Sequence, residues 1–155
     1  MLAFKHFWIA FILVTFANGA AMWRQSKPYR EVDPSLSEGY RSLVRGFVVW
    51  GNIPWLIMGA GILFGGVPSI FHFFNPRSPN PFVTAWFGSI IVLWIACSHW
   101  LFLRGGAEQL ARHPGFTRPP ITNPSTIKLL WLVCMGGGIL GFVAMYLAEF
   151  TPPEF

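Results

Sequence analysis

Four long apolar stretches, separated by shorter polar segments, form the main pattern of this chain. They cover residues 4–23, 46–66, 82–103 and 129–148. Each has about 20 residues, the length that an α-helix rising about 1.5 Å per residue needs to cross about 30 Å of hydrocarbon. The pattern therefore predicts an all-α fold, an integral membrane four-helix transmembrane bundle, with residues 1–155 forming a single transmembrane domain.

The basic residues are distributed unevenly among the segments that flank these spans. Only Lys5 and Arg77 lie on one side, whereas nine Lys and Arg residues lie in the two segments that follow the first and the third span. These nine are Arg24, Lys27, Arg30, Arg41, Arg45, Arg104, Arg112, Arg118 and Lys128. Because cytoplasmic loops carry an excess of Lys and Arg, we expect a multi-pass protein with both termini outside.

The composition agrees with a membrane protein, since 54% of the residues are hydrophobic and 11% are charged. The formal net charge of +5 comes from cations that flank apolar spans, where they would meet anionic lipid headgroups. We therefore expect the lipid bilayer as a partner and no nucleic acid. Cys97 and Cys134 lie within spans, so we expect free thiols, and no Asn matches the glycosylation pattern. These features favour a bacterial inner membrane.

Two of the connecting segments predict short helices of their own. Asp33 and Pro34 form a helix start, and the apolar residues that follow recur at helical spacing up to Phe47. We expect a short interfacial amphipathic helix that bends near Gly46 into the second span and sets its tilt. Docking of a partner is the alternative interpretation. Residues 69–74 predict a short aromatic helix in the outer interface.

Small residues mark the faces on which helices touch in lipid. Gly61 and Gly65 of the second span, and Gly137 and Gly141 of the fourth, are the helix-packing candidates. In the third span the small residues share a face with His99, which predicts that this imidazole points into the bundle. The full set on that face is Ala85, Gly88, Ser89, Val92, Ala96 and His99. The opposite face, with Ile90, Trp94 and Leu101, is expected to contact lipid.

A layer of polar residues is the best candidate for a site. Asn18, Asn52, His99 and Cys134 fall about 6–9 Å below the inner boundary if the topology is as predicted. A hydrogen-bonded structural cluster between helices is the favoured interpretation. The alternative is a ligand site for a quinone or lipid headgroup, or for a porphyrin with His99 as axial ligand. No cofactor is strongly implied.

The predicted function follows from what the spans lack. None has Asp, Glu, Lys or Arg in its middle, the usual mark of an ion-coupled pathway. In length and helix count the chain is similar to the small multidrug exporters, but it lacks the embedded glutamate on which they depend. No catalytic set or metal-ligand spacing is present, so we do not expect an enzyme.

These absences favour a non-catalytic structural or accessory subunit of a larger membrane complex, or a homo-oligomer. A quinone-, lipid- or porphyrin-binding redox or pigment subunit centred on His99 is the alternative, and a small-solute or lipid carrier is the third. Other membrane subunits or further copies of the chain are the expected protein partners.

Overall fold

The structure is a computed structural model that describes residues 5–116 and 120–148. Phe4, where the first predicted span begins, Arg118 and the ends of the chain lie outside these ranges. All regular structure within them is helical. The helices are α1 (Phe7–Gln25), α2 (Lys27–Val32), α3 (Ser37–Leu63), α4 (Pro81–Leu103), α5 (Gly106–Arg112) and α6 (Pro124–Leu147), with 3-10 turns at Pro34–Leu36 and Ile70–Phe74.

Four helical segments are long and apolar enough to cross a membrane, which confirms the all-helical prediction and the number of candidate spans. They are Phe7–Val32, Pro34–Leu63, Pro81–Leu103 and Pro124–Leu147. The first joins α1 to α2, and the second joins the 3-10 turn at Pro34 to α3. The proline that opens α4 and the one that opens α6 each follow an Asn whose side chain accepts from a backbone N–H of the first turn, as expected of a helix N-cap.

The predicted interfacial helix is not a separate element. Asp33 does cap the start, because its side chain accepts a 3.0 Å hydrogen bond from the Ser35 N–H. From Ser37, however, α3 runs through Gly46 and Pro54 to Leu63 as one helix. A single glycine costs about 1 kcal/mol relative to Ala within a helix, which is not enough to end it where the apolar pattern continues on both sides. The amphipathic segment is therefore continuous with the second candidate span.

The spans pack largely in chain order, with α1 against α3, α3 against α4, and α4 against α6. The contact between α1 and α3 is the most extensive, and glycines bring these two helices close together. A Cβ atom on Gly19 would lie 2.5 Å from Val48 Cγ2, and one on Gly59 would lie 2.7 Å from the Trp8 ring. By contrast, α6 has no buried residue.

The main apolar core lies at the predicted outer end, around the 3-10 turn Ile70–Phe74. Phe73 of this turn is 0% exposed, so the predicted short aromatic helix is present and packs against the end of the bundle. Trp8 of α1 and Phe142 of α6 also pack against this core. Its buried members are Met58, Val67, Ile70, Phe73, Val83, Trp86 and Phe87.

A second buried cluster joins the two connecting segments at the other end. The Tyr40 hydroxyl, in a fully buried side chain, donates a 2.7 Å hydrogen bond to the Pro114 carbonyl. The Tyr40 ring lies edge-on to that of His113, with centroids 4.8 Å apart, and His113 packs against the Cα of Gly39. We call Tyr40, His113 and Pro114 the inner clasp. It brings the start of α3 and the end of α5 together.

Candidate functional site

The predicted polar layer does not assemble within this chain. Asn52 is 5% exposed, in the interior, whereas Asn18, His99 and Cys134 are all exposed. The prediction that His99 points into the bundle is therefore wrong for the isolated chain. Cys97 and Cys134 are both free thiols, as predicted.

The orientation of α4 explains the position of His99. The helix buries Val83, Trp86, Phe87 and Leu101, so the face predicted to contact lipid lies largely inside. Aromatic side chains bury about 150–250 Å² each, and dispersion contacts of this size outweigh the closer backbone approach that small residues allow. The Phe87 ring, for example, lies edge-on to that of Phe142 in α6, with centroids 5.1 Å apart.

The Asn52 side chain makes a hydrogen bond within its own helix. Its Nδ2 donates a 2.8 Å hydrogen bond to the Val48 carbonyl, and Thr15 across the α1–α3 contact similarly donates to the Phe11 carbonyl at 2.9 Å. The Asn52 Oδ1 atom is buried without a hydrogen-bond partner among the residues that the structure describes. Each of these bonds stays within one helix, so they do not form the predicted network between helices.

One side-chain hydrogen bond does connect two spans at the predicted inner depth. The Trp131 indole N–H of α6 donates a 2.9 Å hydrogen bond to Ser98 Oγ of α4. One turn before Ser98 in α4, the Trp94 ring lies against Gly138, where a Cβ atom would be 2.6 Å from Trp94 Cζ2. Sequence reasoning missed this pair because spacing along one helix cannot show which residue on another helix lies opposite.

The contact face of α6 explains where its glycines lie. Residues 131, 135, 138, 142 and 145 are half-buried at helical spacing and form that face. Gly138 is therefore in contact, but for Gly137 and Gly141, the predicted packing residues, no described residue beyond their own helical turn has a heavy atom within 4 Å of a Cβ position. We call Gly137, Gly141 and Ala144, all exposed, the α6 glycine face.

The other predicted packing residues lie at a helix contact. A Cβ atom on Gly61 would lie 2.8 Å from Phe82 Cβ, and one on Gly65 would overlap the Phe82 ring. The Asn80 side chain, just before α4, donates a 2.9 Å hydrogen bond to the Gly65 carbonyl. Gly61 and Gly65 therefore allow the end of α3 to approach the start of α4.

The exposed side of α4 carries His99 among small apolar residues. Ala85, Val92 and Ala96 are exposed in the same way, and together with His99 we call them the α4 histidine face. Within residues 5–116 and 120–148 the His99 ring has no hydrogen-bond partner. An imidazole can donate, accept or ligate a metal, so this group is available to a molecule outside the chain. No three His, Cys, Asp or Glu side chains of the described ranges come together as a metal site.

An ion pair joins α5 to α6. Lys128 Nζ donates a 2.9 Å hydrogen bond to Glu108 Oε1, although Arg112, one helical turn from Glu108, is at a spacing that also permits a pair. This hydrogen bond is the largest cause of a lowered pKa of Glu108, to which the charge of Arg112 also contributes. Lys128, twenty positions from Glu108 in sequence, is thus its partner rather than Arg112, because α5 packs against α6.

Comparison with known proteins gives no match to a protein-family model, to a curated protein or to a solved structure.

Proposed function

We propose that this protein is a multi-pass protein of the bacterial inner membrane, with both termini outside, and that it acts as a non-catalytic accessory subunit. The four apolar helices support membrane insertion, and the basic residues support the orientation. The inner clasp adds support, because the Tyr40–Pro114 hydrogen bond holds both basic segments at one end of the molecule.

The open α6 glycine face is the observation that carries the proposed accessory role. Association of helices in lipid depends on close packing, which small residues permit. Each glycine in a helix costs about 1 kcal/mol relative to Ala, yet neither Gly137 nor Gly141 makes room for any group in the part of the chain that the structure describes. We infer that the α6 glycine face receives a helix from another subunit or from a second copy of the chain.

The contrast with the rest of the α6 surface supports this assignment. Ile139 is 50% exposed and Leu132 is 55% exposed, and such large apolar side chains are suited to lipid. Glycines offer lipid little contact area. The α6 surface thus has one part suited to acyl chains and another suited to close helix approach.

The test is to add bulk on the α6 glycine face and to measure association. Gly137→Leu and Gly141→Leu should release the partner, lowering the associated fraction in mild detergent at least about tenfold, while thermal stability of the isolated chain stays within about 0.5 kcal/mol. Gly136→Leu is the matched control, because Gly136 is equally open but lies about a quarter turn or more from both glycines.

Native mass spectrometry of the purified protein gives the readout and identifies the partner. Bound copies of the same chain would make it a homo-oligomer, and a second polypeptide at fixed ratio would make it a subunit of a larger complex. A monomer with no bound polypeptide, or a full complex in the Gly137→Leu variant, would contradict the proposal.

The exposed imidazole of His99 favours a second candidate, a subunit that binds a quinone, a lipid headgroup or a porphyrin. An ionisable residue on an apolar helix is a functional-site hypothesis by default, and this one has no hydrogen-bond partner in the described part of the chain. Visible absorption of the protein that is lost in His99→Gln would establish a porphyrin. If the protein is colourless and its His99→Leu variant loses a bound subunit, His99 instead belongs to the contact with that subunit.

A further inference from the structure

A groove with an apolar interior lies between α1 and α3 near their predicted inner ends. It has a volume of about 490 Å³, within the range of about 300–1,000 Å³ that is typical of small-molecule sites. Residues 16, 19, 20 and 23 of α1 and residues 41, 44, 45 and 48 of α3 line it. Both sets follow the i, i+3, i+4, i+7 spacing of a single helix face. The groove is therefore about two helical turns, or about 10 Å, long.

The polarity of the groove changes along its length. Arg41 and Arg45 lie one turn apart towards the start of α3, and Trp23 lies near the end of α1. The opposite end of the lining is apolar, with Phe16 and Val48. With the proposed topology the arginines lie at headgroup level and the apolar end reaches into the hydrocarbon. Trp23 is at the depth where indoles are enriched in membrane proteins.

The charges at the mouth of the groove are available to an anion. Arg45 has no hydrogen-bond or ion-pair partner in the described ranges. Arg41 has only an ion pair with Glu38 at 3.6 Å, in which both side chains are largely exposed, and such surface pairs are weak. Neither guanidinium is neutralised by a close-packed carboxylate.

A third arginine holds the aromatic wall in place. The Arg30 guanidinium lies over the Trp23 ring, 3.6 Å from its centroid. Arg30 also donates to the buried Ser26 Oγ at 3.0 Å and to the Trp23 carbonyl at 3.1 Å. These bonds fix Trp23 on the α1 side of the groove and place another positive charge near its mouth.

We propose that this groove binds one anionic phospholipid of the inner leaflet. The phosphodiester would lie between Arg41 and Arg45, and an acyl chain would follow the apolar wall towards Phe16. Charge complementarity argues for this occupant, because cations at the mouth and apolar side chains at depth match the two parts of a phospholipid. The site rests on the proposed membrane placement, but not on the proposed role of the α6 glycine face.

The test compares phosphatidylglycerol with phosphatidylcholine of the same acyl chains. Both lipids are added in equal amounts to the protein in mild detergent, and native mass spectrometry counts the lipid that stays bound. Wild type should retain one lipid molecule, and phosphatidylglycerol should be retained at least about tenfold more often than phosphatidylcholine. The reason is that each basic residue near an anionic lipid contributes measurably to its binding. The double variant Arg41→Gln/Arg45→Gln should lose this preference.

Two further variants separate the groove from general electrostatic attraction. Arg24→Gln/Arg104→Gln removes the same charge from exposed inner positions that do not line the groove, and it should keep the preference. Ala20→Trp keeps every charge but fills the groove at an exposed position, and it should lower lipid retention by about tenfold or more. Glycerol phosphate, a soluble headgroup, should not displace the lipid.

The possible contrary results bear on different parts of the proposal. Equal loss in both arginine double variants, or unchanged retention in Ala20→Trp, would overturn the groove as the lipid site. Displacement by glycerol phosphate would show a site for soluble phosphates instead. Reconstitution into bilayer nanodiscs tests the proposed membrane placement separately. A chain that does not enter the bilayer would contradict that placement itself.

Discussion

Individual glycines in this chain differ in what surrounds them, and the difference determines what each one does. In α3, Gly61 lies against Phe82 and Phe73, whereas Gly46 has only Trp50 Cδ1, 4.0 Å from a Cβ position. Both occupy the interior of the same helix and carry the same propensity penalty. Only Gly61 is required by its neighbours.

Substitution of these two glycines by Ala should therefore have opposite effects. Gly61→Ala should lower the free energy of unfolding by about 1–3 kcal/mol, because the added methyl group overpacks the contact with Phe82. Gly46→Ala should leave stability unchanged or raise it by up to about 1 kcal/mol through helix propensity. Thermal unfolding in detergent measures both, and a Gly61→Ala protein as stable as Gly46→Ala would show that α4 does not approach α3 here.

At the scale of the helical elements, α5 and the start of α6 are joined by the Glu108–Lys128 ion pair. The lowered pKa of Glu108 means that the pair stabilises the fold above the pKa of the unfolded carboxyl, about 4.3. The stabilisation is lost as the pH falls through the lower pKa of the folded state. The attachment of α5 to α6 therefore weakens in acid.

This linkage can be measured with Glu108→Gln, which should unfold at a lower temperature than wild type above about pH 5. The difference should shrink as the pH falls below the pKa of the unfolded carboxyl and through the lower pKa of folded Glu108. Lys128→Gln should produce the same loss, and the double variant should add little to it. A difference that is the same at pH 3 and pH 7 would exclude the ion pair as its cause.

The position of α6 itself depends on aromatic contacts with α4. Phe142→Ala should lower the free energy of unfolding by about 2 kcal/mol, roughly half of the effect at a fully buried Phe, since the side chain is half-buried against Phe87. Leu140→Ala, at a residue 71% exposed, is the control and should be close to neutral. Equal effects of the two changes would mean that α6 is rotated relative to this structure.

At the scale of the whole molecule, the orientation across the bilayer can be tested at two exposed residues. Val32, 88% exposed, lies in a basic segment, and Pro79, also exposed, lies in the segment before α4. In a protein whose native cysteines are replaced, an impermeant maleimide applied to intact cells should label Pro79→Cys and spare Val32→Cys. Lysis should make both reactive, and the reverse pattern in intact cells would refute both termini being outside.

The sequence predicts the spans better than it predicts their faces. Length and apolar content are properties of one helix, and they are sufficient to locate α4 and α6. The rotation of a helix about its axis depends on its neighbours. The small residues beside His99 suggest one contact face for α4, but the observed contact face carries Trp86 and Phe87, because aromatic rings fill the space between helices better. The same reason explains why Gly138 rather than Gly137 touches Trp94. The Glu108–Lys128 pair could not be found from spacing within either helix.

The inner clasp constrains the order in which the chain can complete its fold during synthesis. Tyr40 and its acceptor on Pro114 are 74 residues apart in sequence, and α4 and α5 lie between them. The first two spans therefore leave the ribosome before the acceptor of the Tyr40 hydroxyl exists, and this hydroxyl stays open to water until the chain has been made through Pro114. A ribosome-bound chain that stops before Pro114 should expose this tyrosine to surface labelling, and one that continues through α6 should protect it.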